Sequence, residues 1–194
     1  MSMDKLAEAH ELLTLKQAEE AGFTKGEFYA FVKNRDYERV APGVYAAKDA
    51  WIDELAVLHY RCPRAVFSHE EALYFYGLTD REPLVHTLTV YSGYNTRRLK
   101  EAGCKVYTVK KELLEIGRQT GKSSQGNDIP VYDLERTICD LVRSRNYVEI
   151  QDFSTALKAY AARKDKDLNR LMQYARLFHV EKIIRSCLEL LLAS

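Results

Sequence analysis

The sequence predicts an α+β protein, and three patterns carry the prediction. Two helix-start signals stand ten residues apart near the N-terminus, a short β-hairpin follows them, and strand-like segments give way at Asp133 to helices that run to the C-terminus. With 194 residues, 46% of them hydrophobic, the chain can build one large domain or a small one plus a medium one. The formal net charge of +1 gives no global field for nucleic acid, so any such role must rest on local placement of charge. No apolar run approaches the roughly 18 to 20 residues that span a bilayer, and the N-terminus lacks a signal-peptide pattern, so a cytoplasmic location is the default expectation.

A leading helix is predicted over residues 4 to 13, with Leu6, Ala9 and Leu13 on one face. Thr14 with Gln17, and Thr24 with Glu27, are capping boxes: the hydroxyl accepts a backbone N–H while the residue three on reaches back to the cap. Between them, Ala18 suits a close helix crossing, and Gly22 suits a turn that needs positive φ. Phe28 and Phe31 then give the second helix its apolar face. This spacing is that of a helix-turn-helix. Thr24, Lys25, Tyr29 and Lys33 fall on the polar side, the side that in such a module meets base edges and phosphates.

Tyr37 to Ala41 and Val44 to Ala47 have the β-branched and aromatic content of strands, and Pro42-Gly43 suits the centre of a type II turn. A two-stranded ribbon directly after the second helix is a wing. An isolated hairpin is only marginally stable, so Val40, Val44 and Tyr45 must lean on the helices, leaving Arg39 free for a phosphate. Residues 1 to 50 therefore form a winged helix-turn-helix domain. Seven Lys and Arg stand there against nine Asp and Glu, a net charge of about −2. Either only one face is basic, or self-association on DNA and the second domain contribute.

Residues 51 to 194 form a mixed α+β domain with a helical C-terminal end. Ile52, Leu55, Ala56 and His59 continue a helical period to about residue 61. Ser68 to Glu71 reads as a third capping box, opening a helix that ends at Gly77. Residues 86–91, 105–109 and 128–132 read as strands, and helices follow from 133, at 149–163, 167–177 and 180–192. Arg136 and Asp140 are spaced to pair at i, i+4 on a face apart from Leu134, Ile138, Leu141 and Val142. The segment from Arg97 to Lys122 is the most basic in the chain, with eight Lys and Arg against three acids, a net of about +5. Arg97, Arg98, Lys100, Lys105, Lys110 and Lys111 are its candidate contacts with nucleic acid or an acidic partner.

No catalytic constellation emerges, and neither a metal nor a cofactor is expected. Cys62, Cys104, Cys139 and Cys187 lie 35 to 48 residues apart without zinc-ligand spacing and read as buried thiols. His69-Glu70 lacks the second His of a zincin, and Gly121-Lys122-Ser123 lacks the upstream glycine of a phosphate-binding loop. Asp133, Glu135 and Asp140 form the nearest thing to a carboxylate cluster, but helical spacing points them apart, so caps and ion pairs are expected of them. The alternatives are a degenerate winged helix serving as a protein-interaction module and a divalent-ion-dependent nuclease on these carboxylates.

The hairpin RVAPGVY, then SHEEALYFYGL, HTLTVY, IPVYDLERTICDLV and a final VEKIIRSCLELL, resemble in their order the AbiEi family of antitoxins, from abortive-infection, type IV toxin–antitoxin systems of phage defence. The resemblance covers nearly the whole chain. It implies a transcriptional autorepressor that binds repeats in its own promoter, with a C-terminal domain that counteracts a nucleotidyltransferase-like toxin. The family's DNA contacts then fall on Thr24, Lys25, Tyr29, Lys33 and Arg39. The resemblance names no catalytic residue.

Overall fold

The computed structural model describes residues 2–192 and divides into two compact units, Met1–Pro63 with Lys122–Ile129, and Arg64–Gly121 with Pro130–Ser194. In the first unit, α1 (Met3–Ala9), β1 (Leu12–Thr14), α2 (Leu15–Glu20), α3 (Lys25–Asn34), β2 (Tyr37–Ala41), β3 (Val44–Ala47) and α4 (Glu54–Arg61) follow in order. The three strands form an antiparallel sheet, order β1-β3-β2. This is the helix, strand, two-helix and hairpin order of a winged helix.

The leading helix is shorter than the sequence pattern predicts. It stops at Ala9, because Leu12 to Thr14 pair with β3 instead of continuing the turn. Neighbouring residues of a strand point to opposite faces. Leu13 accordingly joins Met3, Leu6, Ala18, Phe28 and Val32 under the helices, while Leu12 joins Ala41, Val44, Ala46, Ala56 and Val57 on the other side. The second cluster explains why the first unit runs beyond residue 50: α4 supplies its Ala56 and Val57. Asp53 caps α4 through the Ala56 N–H at 3.1 Å, and its other carboxylate oxygen accepts from the Ser123 hydroxyl and from Asn127 Nδ2 at 2.8 Å. That carboxylate is what holds segment 122–129 in the first unit.

The second unit carries β4 (Val66–Phe67), α5 (Glu70–Phe75), β5 (Thr87–Tyr91), α6 (Arg97–Glu101), β6 (Lys105–Val109) and most of β7 (Arg118–Lys122) and β8 (Asp128–Tyr132), whose residues 122 and 128–129 belong to the first. The strands order as β6-β5-β4-β8-β7, with β4 antiparallel to β5 and parallel to β8, and α6 crossing between the parallel β5 and β6. Then come α7 (Leu134–Arg143), α8 (Ile150–Ala162), α9 (Leu168–Leu177) and α10 (Glu181–Leu192). The main core lies among these helices, with α7 buried throughout from Leu134 to Val142.

One expectation for this unit is corrected and another is met. The third capping box does not form: Ser68 Oγ bonds Thr89 Oγ1 and His69 Nδ1, and the Glu71 N–H is taken by Thr87 Oγ1 from the neighbouring strand. Arg136 and Asp140 pair as their spacing predicts, Nε to Oδ2 at 3.0 Å, and the pair lies inside the core. The Arg136 guanidinium lies 4.0 Å from the ring centres of both Tyr132 and Phe178 and donates to the carbonyls of Leu113 and Ile116. These partners offset much of the cost of burying the charge, with Nη2 left, among the described residues, as its one nitrogen without a hydrogen-bond partner.

Candidate nucleic-acid interface

Local chemistry fixes both ends of α2 and the start of α3. Thr14 and Thr24 each form the complete reciprocal cap with Gln17 and Glu27, and Gly22 takes φ +90° in the turn between the two helices. Thr24 Oγ1 lies 2.7 Å from Glu27 Oε2, which also accepts the Thr24 N–H at 2.7 Å. Both hydrogen bonds lower the Glu27 pKa from its ordinary value and hold its charge back against the cap. Thr24 thus serves α3 first as a cap.

Phe28 is fully buried, and its helical partner in the core is Val32, with Phe31 only half-buried. Phe31 rests against Tyr37 at 5.8 Å and beneath the Arg35 guanidinium at 5.9 Å, on the α1 side of the module. Lys25, Tyr29 and Lys33, at i, i+4 and i+8, share one exposed flank of the helix. Lys25 Nζ sits 6.0 Å from the Tyr29 ring centre, and Tyr29 meets Tyr45 of the wing edge-on at 6.2 Å. Tyr29 therefore joins the helix to the wing while keeping 38% of its surface exposed. Gly26 and Ala30, both exposed, stand beside this flank and leave the helix backbone approachable, a feature the sequence carried as small residues at i+1 and i+5 from Lys25.

In the wing, Gly43 takes φ +74° at the second centre of the turn, as Pro42-Gly43 requires. The register shifts between Arg39 and Ala41, so Val40 is a bulge residue. Arg61 of α4 donates to the Val40 carbonyl from Nε at 3.0 Å and from a terminal nitrogen at 2.6 Å, securing the bulge. This role of Arg61 was not readable from sequence, because the carbonyl it serves is created by the register shift. Arg39 lies opposite Tyr45 on the neighbouring strand and is exposed.

The acidic balance of residues 1 to 50 is sorted by position. Asp4 pairs with Arg35 at 2.6 Å, Glu20 with Lys16 at 3.7 Å, and Glu27 is held in the cap. Among the described residues, Lys25, Lys33 and Arg39 have no acidic side chain within ion-pair distance. One face is basic even though the segment as a whole is not.

The six candidates in the second unit are treated unequally. Arg97 pairs with Glu101 at 2.8 Å, and Lys105 pairs with Glu70 at 2.7 Å. Arg98, Lys100, Lys110 and Lys111 are exposed on α6 and just past β6, with no acidic partner among the described residues. The three carboxylates weighed for metal chemistry are each engaged. Asp133 caps α7 and accepts from the Tyr174 hydroxyl at 3.0 Å, Glu135 accepts the Asp167 N–H at 2.8 Å, and Asp140 pairs with Arg136 and Arg143. Burial pushes the pKa of both Asp133 and Glu135 up. Cys62, Cys104 and Cys139 are buried free thiols, and Cys187 is partly covered.

Fold and site together define an α+β protein with an N-terminal winged-helix module. No protein-family model and no curated protein matches the sequence. Among solved structures, the chain is similar to the crystal structure of the RV2827C protein from Mycobacterium tuberculosis, with a TM-score of 0.60 at 13% identity, covering 96% of this chain and 78% of that one. At that identity the likeness is one of fold. No helix among the described residues is long and apolar enough to cross a membrane.

Proposed function

We propose that the chain is a sequence-specific DNA-binding protein, a cytoplasmic transcriptional autorepressor whose first unit reads operator DNA with α3 and braces it with the β2–β3 wing. The observation that carries the reading is the unpaired basic flank of Lys25, Lys33 and Arg39 around Tyr29, on a helix whose nearest acid is turned back into its own cap. Lys25 and Tyr29 are the side chains for base edges, and Lys33 and Arg39 those for phosphates. Arg98, Lys100, Lys110 and Lys111 offer the second unit a surface for an anionic partner.

The antitoxin role, antagonism of a nucleotidyltransferase-like toxin, is supported by the resemblance of the ordered motifs to AbiEi antitoxins. It assigns the chain no catalysis, in keeping with carboxylates that serve as caps and ion-pair partners. A mobility-shift assay with DNA from upstream of the gene tests the repressor role. A specific shift is expected, with Lys25→Ala weakening it by about 1–3 kcal/mol if Lys25 reads a base. The absence of any specific shift refutes the role. A neighbouring reading frame with a nucleotidyltransferase motif, whose toxicity the chain relieves, tests the antitoxin role.

A further inference from the structure

The second unit contains a cleft of about 330 Å³ that none of the roles above uses. Its floor is built by Leu73 of α5 and Leu141 of α7, with Val148 beside them. His69 lines it from the turn between β4 and α5, held at φ +52°, ψ −122° by the Ser68 hydroxyl 3.0 Å from Nδ1 and by Tyr107, whose ring stacks on the imidazole at 3.4 Å. A non-glycine residue persists at positive φ only where its surroundings over-determine it, so this end of the cleft is pre-formed.

The polar lining is predominantly acidic. Glu70, Glu82, Glu149 and Asp152 stand against Arg81 and Lys105. Both cations are already engaged, Arg81 with Asp152 at 3.2 Å and Glu149 at 4.0 Å, Lys105 with Glu70 Oε1 at 2.7 Å. Glu82 has no cationic partner among the described residues, and Glu70 Oε2 is buried without a hydrogen-bond partner. A buried carboxylate oxygen in that state is an acceptor awaiting a donor.

Of the residues that line the cleft, Leu84 and Tyr147 are 99% and 82% exposed and Val85 is 45% exposed. Large apolar side chains left open to solvent along the wall of a cleft are the mark of a protein-docking surface. We propose that this cleft docks a protein partner that inserts an apolar side chain onto Leu73 and Leu141 and places an adjoining lysine or arginine against Glu82 and Glu70. Arg98, Lys100, Lys110 and Lys111 do not line this cleft, and the inference does not depend on what α3 binds.

The test is an amide NMR titration of the full chain with three probes, the blocked peptides acetyl-Lys-Leu-Lys-amide and acetyl-Glu-Leu-Glu-amide and the free amine phenethylamine. The expected result is movement of the Glu70, Leu84, Val85 and Tyr147 amides with the lysine peptide, at several-fold lower concentration than with the glutamate peptide. The exposed substitution Glu82→Lys should abolish that preference while leaving the rest of the spectrum in place. The proposal is overturned if these amides do not move with the lysine peptide, or if the two peptides act alike. Movement with phenethylamine but with neither peptide also overturns it, by making the cleft a small-amine site.

Discussion

The substitution Glu27→Gln separates capping from DNA contact on α3. In the structure, Glu27 reaches back to the Thr24 N–H and hydroxyl, both at 2.7 Å. Gln17 does the same for Thr14, so this fold accepts glutamine in the role. Glu27→Gln therefore keeps the cap and removes one negative charge from the first turn of α3, beside Lys25 and the DNA it is proposed to meet. The lost interaction with the helix dipole lowers stability slightly. A carboxylate about 8 Å from a phosphate in water repels it weakly, and roughly half of that survives screening at moderate salt, so operator affinity should rise up to about twofold. Thr24→Ala should instead cost about 1 kcal/mol of stability, free Glu27 toward the DNA and weaken binding. Stability and affinity thus shift in opposite directions for Glu27→Gln and in the same direction for Thr24→Ala. Urea unfolding and fluorescence anisotropy on one operator fragment read both. Weaker binding by Glu27→Gln would refute the argument, since it would mean that the carboxylate accepts from a base and is not confined to the cap.

Two further outcomes follow from buried groups. Burial lowers the His69 pKa from 6.5 to about 4, so the unfolded chain takes up a proton near pH 6.5 that the folded chain resists. The stability this contributes is complete above about pH 6.5 and is lost as pH falls toward 4, amounting to about 3 kcal/mol; a His69→Gln variant should show a flatter decline in unfolding free energy between pH 7 and 5. Asp53→Ala removes the α4 cap and orphans the Ser123 and Asn127 side chains, at a cost of about 2–4 kcal/mol. Hydrogen exchange should quicken together in Glu54–Arg61 and in residues 123–127, and quickening in only one of them would contradict the shared anchor.

What was legible in sequence was what neighbouring residues decide among themselves. The capping boxes at Thr14 and Thr24, the positive φ at Gly22 and the Pro42-Gly43 turn need no distant partner, and the hairpin strands fall where their composition places them. The flank of Lys25, Tyr29 and Lys33 follows from helical spacing alone. What was not legible depends on partners far along the chain. Leu12 and Leu13 look helical until Tyr45 and Ala46 offer them a ladder, and Ser68 would cap α5 had Thr89 and His69 not taken its hydroxyl. The strand Arg118–Lys122, sequence RQTGK, is a polar edge with no apolar alternation to betray it. The pairing of Arg136 with Asp140 was legible in their spacing, but its burial was not, because it is imposed by Tyr132 and by Phe178, 42 residues further along from Arg136.

The most direct measurement is anisotropy of labelled DNA from upstream of the gene, against scrambled DNA, for the wild type and Lys25→Ala/Lys33→Ala over a range of salt. The account predicts specific binding by the wild type and its loss in the double variant. The dependence of log K on log salt should become shallower by about 0.9 for each of the two lysines that meets a phosphate. Equal affinity of the wild type for both DNAs, or a double variant with unchanged affinity and slope, would contradict it.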